Sequence, residues 1–234
     1  MRSMPIPPPT DSAAILAKHR LFASIDPADL NALAGRATMR LFKADELIFQ
    51  KGDAGTAIMA VLSGSVRICC FSEDGDEVVL GIMHPGELFG EIGLIDGGER
   101  TANAYASETT KLLILHRRHV MPFLERNTAA CLELLDIAAQ RLRTSSVRFE
   151  DFFFLDVRMR LAKLLVSLAK KNGAKGLNEG VPNICVSQQE LASMIGTSRQ
   201  AVNKQLREWE NSGMIQLHRR SITVRNLENF EDIV

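Results

Sequence analysis

The stretch GEIGLIDGGERTANA, residues 90–104, combines residue types that bind anions. It contains glycines at positions 90, 93, 97 and 98 together with Glu91, Arg100 and Thr101. Glycine lets backbone amides approach a ligand closely, and arginine pairs with phosphate oxygens through two parallel N–H groups. The pattern therefore predicts a phosphate site, although it lacks the lysine of loops that bind nucleoside triphosphates.

An ion pair within the protein is the other interpretation of this loop. Arg100 could pair with Glu91 or with Glu99 in a protein that binds no phosphate. At this point the residues alone leave both interpretations open.

The segment VSQQELASMIGTSRQAVNKQLREWENSGMI, residues 186–215, has the start and stop signals of two short helices. Ser187 followed by Glu190 is a capping box, which predicts a helix of about eight residues. Gly196 suits the tight turn that follows, and Ser198 can cap a second helix. The order helix, glycine turn, helix predicts a helix-turn-helix.

The second helix of this pair carries polar side chains that can reach base edges in a major groove. Val202 and Leu206 have the spacing of its inward face. The polar residues in or near its first turn are Arg199, Gln200, Asn203 and Lys204. The following SGMIQLHRRSITVRN, residues 212–226, predicts a β-hairpin wing with basic residues at its tip. Any two helices joined by glycine give a similar pattern, but the wing and the polar face together favour DNA binding.

The formal net charge of zero hides an uneven distribution along the chain. Residues 1–156 contain 16 Lys and Arg against 21 Asp and Glu, whereas residues 157–225 contain 12 against 4. Residues 226–234 add three acidic side chains and no basic one. The segment 157–225 is therefore the part expected to meet a polyanion.

Residues 41–115 have the pattern of short strands. Pieces such as AIMAVLSGSVRICCF and KLLILH are separated by turns such as KGDAG and HPGE. Their spacing predicts an antiparallel sandwich or barrel. Residues 19–37, ahead of them, are predicted to be helical, with Ser24 or Asp26 as a cap and Pro27 in the first turn.

From residue 127 the pattern becomes that of one long helix with a narrow stripe. The gaps along the stripe alternate between four and three, as in a two-stranded coiled coil, at Cys131, Leu135, Ala138, Leu142, Ser145, Phe149 and Phe152. The stripe predicts pairing with a second copy of the chain, and the alternative is packing on the β unit of the same chain. The Ser145 hydroxyl in this seam either bonds to a carbonyl one turn earlier or contacts a ligand.

The expected architecture is two domains joined through this helix. A flexible proline-rich arm is predicted at residues 1–17, a β domain at 18–126, the long helix at 127–155 and a DNA-binding domain at 156–234. Asp156 is the predicted cap of a helix that begins at Val157. The turn-rich NGAKGLNEGVPN, residues 172–183, then connects that helix to the helix-turn-helix.

A β sensor, a dimerising helix and a winged helix-turn-helix, in this order, resemble the family of cyclic AMP receptor protein and the fumarate–nitrate regulator (CRP/FNR). The resemblance rests on KGDAG, LSGSV, HPGELFGEIGLI, the hinge FLDVRMRLA and the reading segment SRQAV. The opening stretch is similar to the phosphate-binding cassette of cyclic-nucleotide domains, G-E-[LI]-x-L followed by R-[ST]-A. The resemblance implies an α+β fold: an antiparallel β jelly roll, a long dimerisation helix and a C-terminal winged helix-turn-helix.

By position, the resemblance implies a role for each residue of the cassette. Gly90 would let the backbone approach the ligand, and Glu91 would accept a hydrogen bond from the ribose 2′-hydroxyl. Arg100 would pair with the cyclic phosphate, and Thr101 would donate to the phosphate or the base edge. Ile92 lies in the same implied binding segment. A cyclic phosphodiester carries one charge, so a single arginine is sufficient for it.

On the long helix, Ser145 and Ser146 correspond to hydroxyl residues that touch the purine, one from each subunit. In the DNA-reading segment, Arg199 corresponds to an arginine that binds guanine, whereas Gln200 and Lys204 stand where the receptor has glutamate and a second arginine. The other implied contacts with DNA, mainly with phosphates and flanking groups, are Arg158, Gln188, Gln189, Ser198 and Arg220.

The resemblance implies cyclic AMP as an allosteric ligand and no cofactor. Because Thr101 follows Arg100, where the receptor more often has serine, it also implies tolerance of cyclic GMP. The implied partners are double-stranded DNA with TGTGA-like palindromes, a second copy of the chain and RNA polymerase. The alternative is the same architecture sensing haem, redox state or a metabolite, and the complete cassette argues against it.

Other classes of protein have little support in the sequence. Cysteines 69, 70, 131 and 185 form no CxxC pair, and the pair His116 and His119 lacks a third ligand, so no metal site is expected. The sequence shows no catalytic dyad and no Walker motif, so an enzyme is not expected. The sequence contains neither an apolar run long enough to span a membrane nor a secretory signal, so a cytoplasmic protein is expected.

Overall fold

The computed structural model describes residues 12–17, 19–22, 25–171, 183–218 and 221–233. The chain divides into two compact units, one of Met1–Cys70 with Leu80–Thr144 and one of Phe71–Val79 with Ser145–Val234. No helix in the described ranges is long and apolar enough to cross a membrane.

Two four-stranded antiparallel sheets form the β part of the molecule that precedes the long helix. The strands are β1 (Thr38–Phe42), β2 (Leu47–Phe49), β3 (Ala57–Ser63), β4 (Val66–Phe71), β5 (Glu77–Met83), β6 (Leu88–Phe89), β7 (Asn103–Ala106) and β8 (Thr110–His116). Their orders are β1-β8-β3-β6 in one sheet and β2-β7-β4-β5 in the other. The predicted antiparallel jelly roll is confirmed.

Strands β3 and β8 explain why the sequence has continuous apolar runs as well as alternating ones. They pair antiparallel from Ala57 opposite His116 to Val61 opposite Leu112. One face of the pair, with Met59 and Leu112, packs in the core between the sheets. The opposite face packs in a core that also contains helical residues. Side chains on both faces are therefore buried, and both faces must be apolar.

The described residues of the first unit also form four helices and most of a fifth. They are α1 (Ser12–Ala17), α2 (Pro27–Ala34), α3 (Glu91–Asp96), α4 (Arg117–Arg126) and α5 (Thr128–Phe154), with a short 3-10 turn at Arg20–Phe22. Asp26 caps α2, because its carboxylate accepts a hydrogen bond from Ala28 N at 2.8 Å. That prediction is confirmed, and the other proposed cap, Ser24, lies outside the described residues.

The predicted flexible arm is wrong for residues 12–17. Residues 12–17 form helix α1, and Leu16 is buried in the core with Leu30 and Leu33 of α2. The three proline residues at positions 7–9 suggested an extended arm, but the apolar AAILA that follows can bury a face. Residues 1–11 lie outside the described part of the chain.

Helix α5 packs on its own chain with one face and leaves the predicted stripe exposed. Ala130 and Leu134 are buried in the first unit's core. In contrast, Leu135, Leu142 and Phe149 of the stripe have 56%, 69% and 66% of their surface exposed. Packing on the β unit of the same chain and pairing with a second copy are therefore compatible, because they use different residues of the helix.

The second unit has the order expected of a winged helix-turn-helix. Its elements are α6 (Val157–Lys171), β9 (Asn183–Ile184), α7 (Gln188–Ile195), α8 (Arg199–Asn211), β10 (Ile215–Leu217), β11 (Ile222–Val224) and α9 (Glu228–Glu231). Strands β10, β11 and β9 form a small antiparallel sheet. The connection predicted at residues 172–183 lies outside the described residues apart from its last position, which belongs to β9.

The caps predicted for this unit are confirmed. Met159 N donates to the Asp156 carboxylate at 2.8 Å, and Ser187 and Glu190 form a reciprocal capping box. Gly196 has the left-handed conformation, with φ of 64°, that the turn between α7 and α8 requires. Ser198 accepts a hydrogen bond from Ala201 N and caps α8.

Candidate functional sites

Arg100 is a buried arginine whose contacts join three segments of the jelly roll. Only 5% of its surface is exposed. Its Nη1 donates to Gly90 O at 2.9 Å and its Nη2 donates to Ala57 O at 2.6 Å. The guanidinium carbon lies 4.3 Å from the centroid of the Phe49 ring. Arg100 is therefore held at the junction of β6 and α3, where the sequence predicted a phosphate site.

The guanidinium of Arg100 retains binding capacity at this position. Its Nε is buried and has no hydrogen-bond partner in the described part of the chain. Burial lowers the pKa of Arg100 from its usual value, and the carboxylates of Glu91 and Asp53 act in the opposite direction. An anion that reached this group would satisfy the unpaired N–H and would offset the cost of burying the charge.

Gly90 is required by the position of Arg100. Its φ of 83° is left-handed, and a Cβ built on it would lie 2.5 Å from Arg100 Nη1. Any side chain at this position would therefore displace the guanidinium and strain the backbone. The glycine spacing in the sequence indicated a close approach, and in the structure the group that approaches is Arg100.

Glu91 is also buried, with 3% of its surface exposed, but its partner was not predicted from the sequence. It forms an ion pair with Arg141 of α5, and Arg141 also donates to Leu88 O. Among the described residues, no ion pair of Arg100 with Glu91 or Glu99 is seen, and the Glu91 carboxylate pairs with Arg141 instead. The missed signal was the spacing of Arg141 and Ser145, which at i and i+4 share a face of the helix.

The other two cassette residues lie at the surface. Ile92 is exposed in α3, and Thr101 is exposed directly after Arg100. The carbonyl oxygen of Thr101 lies 4.0 Å from the Cys70 thiol on β4. The Thr101 side chain is thus accessible to a ligand that approaches Arg100.

Ser145 and Ser146 are both exposed on α5. The bond to a carbonyl one turn earlier, the alternative for Ser145, is made by its neighbour: Thr144 Oγ1 donates to Gln140 O at 2.9 Å. Among the described residues, no such bond is seen for Ser145. The contact of the two serines with a nucleotide stays a prediction.

In the second unit, several of the predicted DNA contacts line two neighbouring depressions, whereas Lys204 lines neither of them. A cleft of about 340 Å³ lies between the start of α7, the start of α8 and the β10–β11 hairpin. Gln188, Gln189 and Arg199 line it. A neighbouring depression of about 270 Å³ is lined by Gln188, Arg199, Gln200 and Asn203. These polar side chains lie at the N-terminus of α8, where the helix dipole favours anions such as phosphates.

The remaining predicted DNA contacts differ in what the structure shows of them. Lys204 and Arg158 are exposed, and Ser198 is exposed although its hydroxyl already caps α8. Arg220 lies outside the described residues. His218, which was not predicted individually, lines the same cleft, and its Nε2 lies 3.2 Å from Thr223 Oγ1. The run HRRS in the wing was the available signal for it.

Comparison with known proteins identifies the family of each domain. Residues 39–127 match the family model of the cyclic nucleotide-binding domain, and residues 159–233 match that of the Crp-like helix-turn-helix domain. The cyclic AMP receptor protein of Thermus thermophilus is 33% identical over 91% of this chain and 95% of its own length. The CRP-like cAMP-activated global transcriptional regulator of Mycobacterium tuberculosis is 29% identical over 92% of this chain and 96% of its own length.

A solved structure shows the same fold at lower identity. The c-di-GMP responsive global regulator CLP of Xanthomonas campestris superposes with a TM-score of 0.76 at 23% identity, covering 86% of this chain and 100% of the other. Together with the fold, the two family matches define a transcription regulator with a cyclic nucleotide-binding domain and a DNA-binding helix-turn-helix. The chain belongs to the CRP/FNR family, which is a family of transcription regulators.

Proposed function

We propose that this protein is activated by cyclic AMP to bind DNA as a homodimer. The observation that carries the proposal is Arg100, a buried cation with an unpaired Nε beside a glycine that leaves no room for a side chain. Such a site suits a singly charged cyclic phosphate. The carboxylate of Glu91, held by Arg141, suits the ribose hydroxyl.

The exposed stripe of α5 supports the homodimer. Leu142 and Phe149 are large apolar side chains that are mostly exposed, and they follow the spacing of a coiled-coil seam. Burial of such a stripe against its own copy removes apolar surface from water, at roughly 25 cal/mol per Å². A second copy also supplies the second recognition helix that a palindromic DNA site requires.

The proposed activation is a shift between two populations. The nucleotide would contact Ser145 and Ser146 across the seam and stabilise the paired α5 helices. Through the hinge at residues 152–156, this would orient both recognition helices for successive major grooves about 34 Å apart. The nucleotide can shift the equilibrium only by its difference in affinity for the two forms.

Cyclic AMP is the first choice of ligand because the Thermus thermophilus relative is a cyclic AMP receptor protein and the Mycobacterium tuberculosis relative is a cAMP-activated regulator. Cyclic GMP is a second candidate, because the exposed Thr101 hydroxyl can also meet the guanine 2-amino group. The Xanthomonas structure is described as c-di-GMP responsive, so that dinucleotide belongs in any ligand panel.

The proposed DNA site is a palindrome related to TGTGA. Arg199 suits a guanine through two hydrogen bonds, whereas Gln200 suits an adenine rather than a cytosine. We therefore expect one G·C position of the half-site to be relaxed toward A·T. Selection from a random DNA library that returned strict TGTGA half-sites would refute this assignment.

RNA polymerase is a further proposed partner, since the family consists of transcription regulators. The segment that corresponds to the polymerase-contacting loop of the receptor, residues 170–183, lies mostly outside the described residues. A pull-down of polymerase holoenzyme on operator DNA, with and without this protein, tests the proposal. Recovery that does not depend on the protein would contradict it.

Calorimetry tests the proposed ligand. Titration of the protein with cyclic AMP, cyclic GMP and c-di-GMP should give micromolar binding of cyclic AMP, about −8 kcal/mol. The Arg100→Gln variant should lose about 1.5–3 kcal/mol of this, because a charge-assisted pair with phosphate is removed. Arg126→Gln, an exposed arginine of α4, is the matched control. No heat from any of the three nucleotides would overturn the proposal, and an absorption band in the visible would favour the haem or redox alternative.

A further inference from the structure

Arg160 on α6 bridges the end of α5 and the turn of the helix-turn-helix. Its guanidinium carbon lies 5.1 Å from the centroid of the Phe152 ring in the last turn of α5. Its Nη1 donates to Ile195 O, at the end of α7, at 2.8 Å. One planar group therefore contacts the hinge on one side and the first helix of the DNA-reading pair on another.

Each contact of Arg160 suits a cation of this shape. A guanidinium stacks on an aromatic ring, which an ammonium does less well. The C-terminus of a helix has carbonyl groups without partners and a partial negative charge, and both attract a donor with positive charge. Ile195 O directly precedes Gly196, where the chain turns into the recognition helix α8. The contact thus lies next to the turn that aims α8.

A neighbouring ion pair strengthens the contact between α6 and α5 but does not extend to α7. Lys163, three residues after Arg160, forms an ion pair with Asp151 at 2.6 Å. Arg160 and Lys163 share a face of α6, and both meet the last turn of α5. Of the two, Arg160 has the contact with the helix-turn-helix.

The position of Arg160 also has an energetic cost. Its Nε is buried and has no hydrogen-bond partner among the described residues. A buried donor without a partner costs about 1–3 kcal/mol, so the side chain is held by its two other contacts. A movement of the end of α5 relative to α7 that exceeds the reach of this side chain would break one of the two contacts.

We propose that Arg160 is the positioning residue that transmits the state of the α5 hinge to the recognition helix. It fixes the orientation of α8 relative to the end of α5 without contacting nucleotide or DNA. The statement that this contact responds to the nucleotide rests on the proposed function. The statement that Arg160 orients α8 concerns the geometry of the second unit alone.

The test is the Arg160→Gln variant, which removes the charge and the planar guanidinium group but keeps an N–H donor. The matched control is Lys170→Ala on the same helix, since the partner of Lys170 among the described residues is Glu231 of α9. We expect Arg160→Gln to bind cyclic AMP within about twofold of the wild type, while its nucleotide-dependent gain in operator affinity falls by at least about tenfold. Amide hydrogen exchange at residues 153–158 and 196–198 should accelerate. Lys170→Ala should change neither measurement.

Two other outcomes separate this inference from the proposed function. If Arg160→Gln keeps the full nucleotide-dependent gain, the inference is wrong and the proposed function stands. If the wild type itself shows no gain, the proposed function fails, and hydrogen exchange then decides the positioning role alone. Unchanged protection at both segments would overturn that role as well.

Discussion

At the scale of single residues, the cassette contains two buried charges that are held in place in different ways. Arg100 bonds to two carbonyl groups, and Glu91 bonds to an arginine from another helix. The sequence pattern predicted Arg100, Glu91 and Gly90 because the cassette is contiguous. It did not predict Arg141 or Phe49, because their partners are distant in sequence and only the fold brings them together.

Thr101→Ala should separate the two candidate nucleotides. Removal of the hydroxyl is expected to weaken cyclic GMP by about tenfold and cyclic AMP by at most about threefold, because a neutral hydrogen bond to the guanine amino group is worth about 1 kcal/mol. Calorimetry with both nucleotides measures the difference. An equal loss for both would mean that the hydroxyl meets the phosphate only.

Arg141→Met should destabilise the first unit by about 3 kcal/mol, because it leaves the buried Glu91 carboxylate without its partner. The double variant Glu91→Gln with Arg141→Met should recover about half of this loss, since the remaining group is neutral. Urea unfolding of the wild type, both single variants and the double variant measures the coupling. Additive losses would show that the pair contributes no coupling energy.

At the scale of elements, helix α5 has two roles that fall on different faces. Its buried residues Ala130 and Leu134 attach it to the jelly roll, and its exposed stripe is the face that we propose pairs with a second copy. The heptad spacing predicted the stripe from sequence. The attachment face could not be predicted in the same way, because small residues such as Ala130 become core residues only through what packs on them.

Leu142→Glu should weaken the dimer by at least about 100-fold, because each copy would place a charge in the apolar seam. Val147→Glu is the matched control, since Val147 is an exposed apolar residue of the same helix that lies off the stripe. Sedimentation equilibrium measures both. Equal dimerisation of the two variants would contradict the assignment of the seam.

The N-terminal segment should make stability depend on pH. Burial lowers the pKa of His19 from 6.5 to about 4, with an opposing effect of Glu87 and an added effect of Arg141. The unfolded chain therefore takes up a proton at higher pH than the folded chain, so stability is lost as the pH falls from about 6.5 toward about 4. After allowance for solvent screening, the loss is about 2 kcal/mol.

His19→Asn should remove this part of the pH dependence, because asparagine can still accept the hydrogen bond from Leu21 N but does not titrate. The measurement is the difference in unfolding free energy between pH 7.5 and pH 4.5 for the wild type and the variant, about 2 kcal/mol apart. Other titrating groups contribute equally to both proteins. Parallel pH profiles would show that His19 is not the group responsible.

At the scale of the whole molecule, the order of the domains could be predicted because each domain contains patterns of residues that are close together in sequence. Capping residues delimit the helices of the second unit, and glycine turns delimit the strands of the first. The contacts that join these parts, such as Arg141 with Glu91 and Arg160 with Ile195 O, have no local signal. They involve single long side chains whose partners lie 50 and 35 positions away.

The central claim is that cyclic AMP controls DNA binding. The most direct measurement is fluorescence anisotropy of a labelled TGTGA-type palindrome, titrated with protein with and without saturating cyclic AMP at fixed salt. The account predicts that the nucleotide raises operator affinity by at least about tenfold, and that Arg100→Gln shows no such increase at the same nucleotide concentration. Equal operator affinity of the wild type with and without cyclic AMP would contradict the account.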